Sequence, residues 1–357
     1  MIVSLTPHPP HLSLSPPGPP NAAWSFATLG LMPGAVTRAA LEVAVVRAGP
    51  GMKPQHAANT AWSFATLGQT PSAQARTALE AAILRGALGM NSQQVANTVF
   101  AYATLGLMPG AEAWAALEAA AVRVGPSMNA QGISNTTWSF LILAATRGLP
   151  LPACYPSLWR AACGLDVASL KDVGIRKVFH AYLIHTELVC GDVRDEVTFP
   201  PWIMREAREA WMRQARDDAT VSGYHKEIAS IIGELGVPHM VERLTGDGYF
   251  SVDVYMPNHG VVHEIDGPCH FMNAPDGSDG AALGDAPRNT TRTPRMELRD
   301  KFLKSCHRAV PSIPYFEYDT LKGHAERMRY VAEKLRDAGV QVPASAAAAA
   351  AAAAAFI

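Results

Sequence analysis

The stretch NTAWSFATLG, residues 59–68, has near copies elsewhere in the same chain. NAAWSFATLG begins at Asn21, NTVFAYATLG at Asn97 and NTTWSFLILA at Asn135, so the copies follow one another at a constant spacing of 38 residues. A fixed period in this range indicates stacked supersecondary units, each of which buries its apolar face only against its neighbours. The first half of the chain is therefore predicted to be a solenoid.

The proline and glycine positions in each copy predict a pair of helices. An apolar stripe at helical spacing follows Pro54 and stops at Gly68, and a second stripe follows Pro71 and stops at Gly86. Proline near the first turn and glycine just past the last turn are typical helix boundaries. Glycines at the repeat period are predicted to end the first helices (Gly30, Gly68 and Gly106), and prolines are predicted to begin the second helices (Pro33, Pro71 and Pro109).

Two residue types recur inside the first helix. Aromatic residues stand at one position of each copy, and we interpret them as core residues that pack one copy on the next: Trp24, Trp62, Phe100 and Trp138. The asparagine that opens each copy costs helix propensity and needs a partner. It either forms a buried hydrogen-bond ladder between copies or faces a ligand. A degenerate fifth copy is expected over residues 166–185, where Phe179 and Tyr182 follow the aromatic pattern loosely.

The pattern M-x-x-Q-x-x-x-N-x-x-W-x-x-A-x-L-G resembles the octotricopeptide repeat, a family of organelle RNA-binding solenoids abundant in green algae. The resemblance covers about residues 21–185. It implies that the array binds single-stranded RNA, with contacts from the start of each first helix. Gln55, Gln93 and Gln131 recur there, beside His56 and Gln94, which vary between copies. A shared anchor beside a variable contact predicts that these five residues bind RNA.

From about Ser222 the pattern changes. Helices are predicted over 222–236, 294–307 and 320–339, and strands over 239–244, 250–256, 261–267 and 312–318. This α-β-β-β-α-β-α order is that of the restriction-endonuclease-like fold. The predicted fold class is a mostly α solenoid of helical hairpins followed by a small α/β domain of that kind.

Three carboxylates are predicted to share one face of the middle hairpin. A turn centred on Asn258 and His259 places Asp253 opposite Glu264, with Asp266 on the same side. The other face is predicted to carry Val252, Val254, Val261 and Ile265.

Carboxylates this close repel one another unless a cation or a proton intervenes. In one interpretation Asp253 and Glu264 hold Mg²⁺ and, with Asp266, form a nuclease site. In the other, the cluster is structural and basic residues of the following helix neutralise it, with Arg295, Arg299 and Lys301 as the candidates. Nucleases of this type carry lysine where this chain has Asp266, which disfavours cleavage.

The run VVHEIDGPCHF, residues 261–271, resembles the RAP domain, a C-terminal module of organelle RNA-processing proteins. The two resemblances together imply an organelle RNA-binding protein that acts in RNA stabilisation, processing, splicing or translation. Its implied partners are single-stranded organelle RNA and other RNA-processing proteins, in the chloroplast or, alternatively, the mitochondrion. Two alternatives are a metal-dependent RNA endonuclease, with Mg²⁺ as its cofactor, and a protein-interaction scaffold.

The composition limits the classes of protein to which the chain can belong but does not indicate a function. Residues 1–150 hold seven Lys and Arg against four Asp and Glu, which is far from the strong positive field of many nucleic-acid binders. The five cysteines form no C-x-x-C pair, and a reduced compartment is expected. No apolar run is long enough to predict a membrane span.

The expected division of the chain has five parts. They are a low-complexity segment (1–20), the repeat domain (21–190), a linker with a helix (191–221), the RAP domain (222–340) and a disordered alanine-rich tail (341–357). The loop between Asn273 and Thr293 is also expected to be disordered. Because three or four repeats would contact only a few bases, the full gene product is expected to be longer.

Overall fold

The computed structural model describes residues 19–189, 199–217, 222–272 and 291–343. This part of the chain is mostly helical and includes a small mixed sheet of four strands toward its C-terminal end. The helices before the sheet are α1 (Pro19–Leu29), α2 (Ala35–Ala48), α3 (Pro54–Thr66), α4 (Ala73–Gly86), α5 (Ser92–Leu105), α6 (Ala111–Val124), α7 (Ala130–Arg147), α8 (Tyr155–Cys163), α9 (Asp172–Ile184), α10 (Pro201–Asp217) and α11 (Gly223–Glu234). The remaining elements are β1 (Met240–Leu244), β2 (Ser251–Met256), β3 (Val261–Asp266), α12 (Pro294–Cys306), β4 (Ser312–Pro314), α13 (Tyr315–Tyr318) and α14 (Gly323–Asp337).

Glycine terminates the first helices, as predicted. Gly30, Gly68 and Gly106 follow α1, α3 and α5 with φ of 64°, 61° and 61°. This left-handed conformation is open to glycine and disfavoured for residues with a side chain. The prediction that prolines begin the second helices is wrong by two residues, because α2, α4 and α6 begin after the N-cap residues Gly34, Ser72 and Gly110.

Consecutive copies are joined through both of their helices. Helices α1, α3, α5, α7 and α9 contact one another in chain order, and α2, α4 and α6 do the same. Polar contacts repeat as well: Glu42 accepts a hydrogen bond of 3.2 Å from the Ser72 amide at the N-terminus of α4. Glu80 accepts one from the Gly110 amide at the N-terminus of α6. These carboxylates satisfy amides that lack a partner within their own helix.

The fourth copy is one helical turn longer than the third. Helix α7 has 18 residues and α5 has 14, and four residues make about one α-helical turn. Arg147, which occupies the position of the repeated proline, ends this extra turn. Its guanidinium donates to Glu297 on α12 at 2.6 and 3.1 Å and to the Gly106 carbonyl at 2.7 Å. The extra turn therefore connects the helical copies to the C-terminal elements.

The sheet has the strand order β1-β2-β3-β4, with β1, β2 and β3 antiparallel and β4 parallel to β3. Val254 pairs with His263, and Met256 with Val261, which is the register predicted from a turn centred on residues 258 and 259. The turn itself has four residues, 257–260. The strand predicted over 312–318 ends early at Pro314 and α13 follows, because proline has no N–H with which to continue a ladder.

Two apolar clusters lie against the sheet. Val254, Val261 and Ile265 belong to a cluster with the apolar residues of α11 and α14, as predicted. The prediction for Val252 is wrong, because Val252 belongs to a larger cluster that contains Phe302 and continues into the helical copies. One apolar core thus runs from the repeats to the sheet.

The predicted linker region contains α10, which packs on α9. The Trp211 indole donates a hydrogen bond of 2.7 Å to the Tyr249 carbonyl, so this helix also contacts the C-terminal elements. The segment 1–20, the loop between Asn273 and Thr293 and the tail 341–357 lie mostly outside the described residues. None of the described helices is both long and apolar enough to cross a membrane.

Candidate functional sites

Helices α3, α5 and α7 present equivalent rows of polar and aromatic side chains. Positions i, i+4 and i+7 lie on one face of a helix, and three repeated residues occupy them. We call this face the first-helix stripe: Gln55, Asn59 and Trp62 on α3, Gln93, Asn97 and Phe100 on α5, and Gln131, Asn135 and Trp138 on α7. The glutamines are exposed, and the asparagines and aromatics are half-buried. Three predicted RNA contacts, Gln55, Gln93 and Gln131, therefore lie at one position of successive contacting helices.

The other two predicted RNA contacts lie one position away from the stripe. Gln94 forms a capping box with Asn91: the Gln94 amide donates to the Asn91 side chain at 3.0 Å, and the Asn91 amide donates to the Gln94 side chain at 3.1 Å. Its side chain thus stabilises the start of α5. His56 is half-buried. Of the predicted contacts, the three stripe glutamines are the best placed for a ligand.

The repeated asparagines do not form a ladder in the part of the chain that the structure describes. The side chains of Asn59 and Asn97 make no hydrogen bond there, although both are half-buried. The Asn135 Oδ1 accepts from Gln131 at 3.0 Å and from Lys177 at 2.7 Å. The ligand-facing alternative is therefore the one that the geometry favours for Asn59 and Asn97, because their amides are unpaired and are not among the buried atoms of the described residues, so a ligand can reach them.

The repeated aromatics are less buried than a core position requires. Trp24 is 43% exposed, and Trp62, Phe100 and Trp138 are half-buried. Neighbouring copies do touch here, with the Phe100 and Trp138 ring centroids 5.7 Å apart. The buried aromatics stand two residues later in each copy: Phe64, Tyr102 and Phe140 are 4%, 6% and 1% exposed. These three residues also recur every 38 residues, and this spacing could have identified them as the core. The more conspicuous row of tryptophans was interpreted as the core instead.

The extra turn of α7 shifts the fifth copy by four residues. Lys177 donates to Asn135, and the Trp138 indole donates to His180 Nδ1 at 3.0 Å, so both contacts join residues that are 42 apart. Lys177 therefore occupies the asparagine position and His180 the aromatic position. The prediction that Phe179 and Tyr182 continue the aromatic row is wrong. Burial lowers the pKa of His180 to about 3, so its ring is neutral and accepts the indole hydrogen.

The three predicted carboxylates are brought together on the sheet, and each has its own basic neighbour. Glu264 Oε2 accepts from the Arg299 guanidinium at 2.9 and 2.6 Å. Asp266 Oδ1 lies 2.7 Å from His270 and 2.8 Å from Arg292. Among the three predicted neutralising residues, Arg299 plays this role, whereas Lys301 donates to the Ala145 carbonyl of α7.

Asp253 is held differently. Its Oδ2 accepts from the Ile265 amide at 2.6 Å and lies 3.6 Å from His225 Nε2. His225 Nδ1 in turn lies 2.7 Å from Glu242. Ligand atoms of His225, Glu242 and Asp253 lie within 4.8 Å of one another, a set that suits a divalent ion. His225 and Glu242 were not predicted, and only the β1–β2 register, which places Glu242 beside Asp253, could have indicated one of them.

The ionisation of the cluster follows from burial and partners. Burial raises the pKa of Glu264 to about 7 against the opposing charge of Arg299. Burial also raises the pKa of Asp253, although His225 opposes it. For Asp266 burial acts in the same direction, but the His270 hydrogen bond and the Arg292 charge outweigh it and lower the pKa. Burial acts to lower the pKa of His270, but Asp266 raises it to about 9.

Glu264 also has one oxygen without a partner. Its Oε1 is buried and makes no hydrogen bond within residues 19–189, 199–217, 222–272 and 291–343. A proton on this oxygen relieves the repulsion from Asp253 and Asp266, which is consistent with the raised pKa of Glu264. Of the pair predicted to hold Mg²⁺, Asp253 lies in the His225–Glu242–Asp253 set, and Glu264 is engaged by Arg299.

No family model matches this chain, and no curated protein shows significant similarity to it.

Proposed function

We propose that the protein binds single-stranded RNA along the first-helix stripe. The observation that carries the proposal is the row of exposed glutamines beside half-buried asparagines that, at Asn59 and Asn97, have no hydrogen-bond partner in the described structure. Amide groups both donate and accept, so they can pair with the edges of unstacked bases. The half-buried aromatics beside them suit stacking on those bases.

The proposal extends to the family and the compartment. The 38-residue period, the paired helices of each copy and the contacts between successive first helices support an octotricopeptide-like solenoid. The β1–β2–β3–β4 sheet with α11, α12 and α14 supports a RAP-type domain of restriction-endonuclease-like topology. On this basis the protein acts on organelle transcripts, in the chloroplast or alternatively the mitochondrion, in their stabilisation, processing, splicing or translation.

We propose that the C-terminal domain binds or positions RNA without cleaving it. Glu264 forms an ion pair with Arg299, and Asp266 forms ion pairs with His270 and Arg292. The position from which lysine would assist phosphate attack carries the carboxylate Asp266, which repels phosphate. The nuclease alternative has one observation in its favour, the His225–Glu242–Asp253 set, and Mg²⁺-dependent cleavage by the purified protein, lost in Asp253→Asn, would establish it.

The test is a filter-binding titration with a pool of unstructured single-stranded RNA at two salt concentrations. The protein is expected to bind, with affinity that falls as salt rises because phosphate contacts release counterions. Gln55→Ala combined with Gln93→Ala is expected to weaken binding several-fold. The matched control is Gln74→Ala combined with Gln341→Ala, two exposed glutamines away from the stripe.

Two results would contradict the proposal. The first is an equal loss of affinity in both double variants, which would remove the stripe from the interface. The second is no RNA binding by the parent, and capture of a peptide partner in addition would favour the scaffold alternative.

A further inference from the structure

The fifth copy changes the chemistry of the first-helix stripe. Asn59, Asn97 and Asn135 are neutral, and the equivalent residue of α9 is Lys177. This equivalence is hidden in the sequence, because the extra turn of α7 displaces it by four residues from the 38-residue period. The row of amides therefore ends in a cation.

Lys177 is held in place by the preceding copies. Its Nζ donates to Asn135 Oδ1 at 2.7 Å. The same atom lies 4.3 Å from the Phe100 ring centroid and 5.5 Å from that of Trp138. An ammonium group within about 6 Å of an aromatic face is attracted by the ring quadrupole. The side chain thus lies along the stripe rather than extending into water.

This cation has no counter-ion in the described part of the chain. No carboxylate there forms an ion pair with Lys177, and Asp172 of the same helix is engaged by Arg176 at 3.2 Å and Arg213 at 3.9 Å. Burial lowers the pKa of Lys177 to about 8, so the amine is mostly protonated at neutral pH. A half-buried charge without a counter-ion carries a desolvation cost that an anionic ligand offsets.

We propose that Lys177 binds a backbone phosphate of the RNA strand at the α7–α9 end of the first-helix stripe. The inference rests on the proposed function, since it names a contact within the same interface. In it the amides of the earlier copies contact bases, and Lys177 fixes one phosphate and thereby the register of the strand. Phosphate contacts position a protein on nucleic acid, and base contacts specify the sequence.

The experiment compares the salt dependence of binding for three variants and the parent. Lys177→Met removes the charge and keeps the length of the side chain, and Lys177→Arg keeps the charge. Arg76→Met is the control, because Arg76 is an exposed cation on α4, outside both the first-helix stripe and the C-terminal domain. For single strands, each phosphate contact contributes about 0.7 to the slope of log affinity against log salt.

Lys177→Met is expected to reduce that slope by about 0.7, whereas Lys177→Arg and Arg76→Met keep the parent slope. If Lys177→Met folds and its binding has the same salt slope as the parent, the inference is overturned, and the proposal that the stripe binds RNA is unaffected. Failure of the parent to bind any RNA overturns both.

A second measurement covers the case in which Lys177→Met does not fold. The parent is treated with an amine-acetylating reagent, with and without the RNA pool, and acetylated lysines are identified by mass spectrometry. RNA is expected to protect Lys177 from acetylation. Equal acetylation of Lys177 with and without bound RNA would contradict the phosphate contact.

Discussion

The first-helix stripe and the carboxylate cluster of the sheet are both groups of polar residues on one face of the structure, but they differ in what satisfies them. The Asn59 and Asn97 side chains have no hydrogen-bond partner among the described residues. In the cluster, Glu264 is paired with Arg299, and Asp266 with Arg292 and His270. The remaining Glu264 Oε1 is buried and unpaired, whereas the Asn59 and Asn97 amides are not among the buried unpaired atoms of the described residues, so a ligand can reach them. The comparison favours binding on the helices over chemistry on the sheet.

The largest expected effect is on the stability of the cluster. Arg299→Ala removes the partner of Glu264 and is expected to lower the free energy of unfolding by roughly 3–5 kcal/mol, the usual cost of breaking a buried ion pair. Chemical denaturation measures it, with Lys304→Ala, an exposed residue of the same helix, as the control. A loss no greater than that of the control would show that the cluster is not held by this pair.

The helical copies offer a contrast between two aromatic positions. Phe64→Ala is expected to lower the free energy of unfolding by about 3–5 kcal/mol, as for other buried aromatics, because Phe64 is 4% exposed. Trp62→Ala is expected to cost less stability and to weaken RNA binding more. Thermal melts and filter binding on the two variants decide the matter. The reverse ranking in both measurements would make Trp62 the core residue and reject its role in the stripe.

Two glycines isolate the contact between the repeats and the C-terminal elements. Gly106 and Gly148 have similar φ of 61° and 67°, so alanine at either position costs about 1–2 kcal/mol for the backbone. A Cβ at Gly106 would also overlap the Arg147 guanidinium and lie 2.8 Å from Pro294 Cγ, whereas nothing lies within 4 Å at Gly148. Gly106→Ala is expected to lose roughly 1–3 kcal/mol more than Gly148→Ala. Equal losses of unfolding free energy in the two variants would mean that Arg147 and Pro294 move aside at no energetic cost.

The last expected effect is a pH dependence. The Glu264 pKa is raised to about 7 from an ordinary 4.5, so between these values the folded state binds more protons than the unfolded state. The Glu264 contribution to stability is then lost as pH rises through this window. The Glu264→Gln variant does not have this loss. Between pH 4.5 and 7 the parent is therefore expected to lose at least about 1.4 kcal/mol of unfolding free energy relative to the variant, which is the equivalent of one pKa unit. Parallel stability profiles would show that Arg299 keeps Glu264 ionised.

Local rules predicted much of this arrangement. The turn around residues 258 and 259 determined the β2–β3 register, because an antiparallel hairpin pairs residues symmetrically about its turn. The terminating glycines followed from the need for a left-handed residue at a helix end. The stripe glutamines followed from a repeated position within a helix. Each of these inferences used residues close in sequence.

What could not be predicted depends on distant partners. Whether α7 ends at the repeat period or one turn later depends on Arg147, whose partner Glu297 is 150 residues away. The shift that places Lys177 in the stripe is a consequence of that turn. The neutralisation of Glu264 by Arg299 was one of three open choices along α12, and only the packing of α12 on the sheet and on α7 distinguishes Arg299 from Lys301.

Ultraviolet cross-linking of the full chain to single-stranded RNA, followed by mass spectrometry of the linked peptides, tests the central claim most directly. The aromatic residues of the stripe are the groups expected to react with stacked bases. Cross-links are expected in peptides that contain Trp62, Phe100 or Trp138, and Gln55→Ala combined with Gln93→Ala should reduce their yield. Cross-links confined to residues 222–343, with none in α3, α5 or α7, would contradict the account.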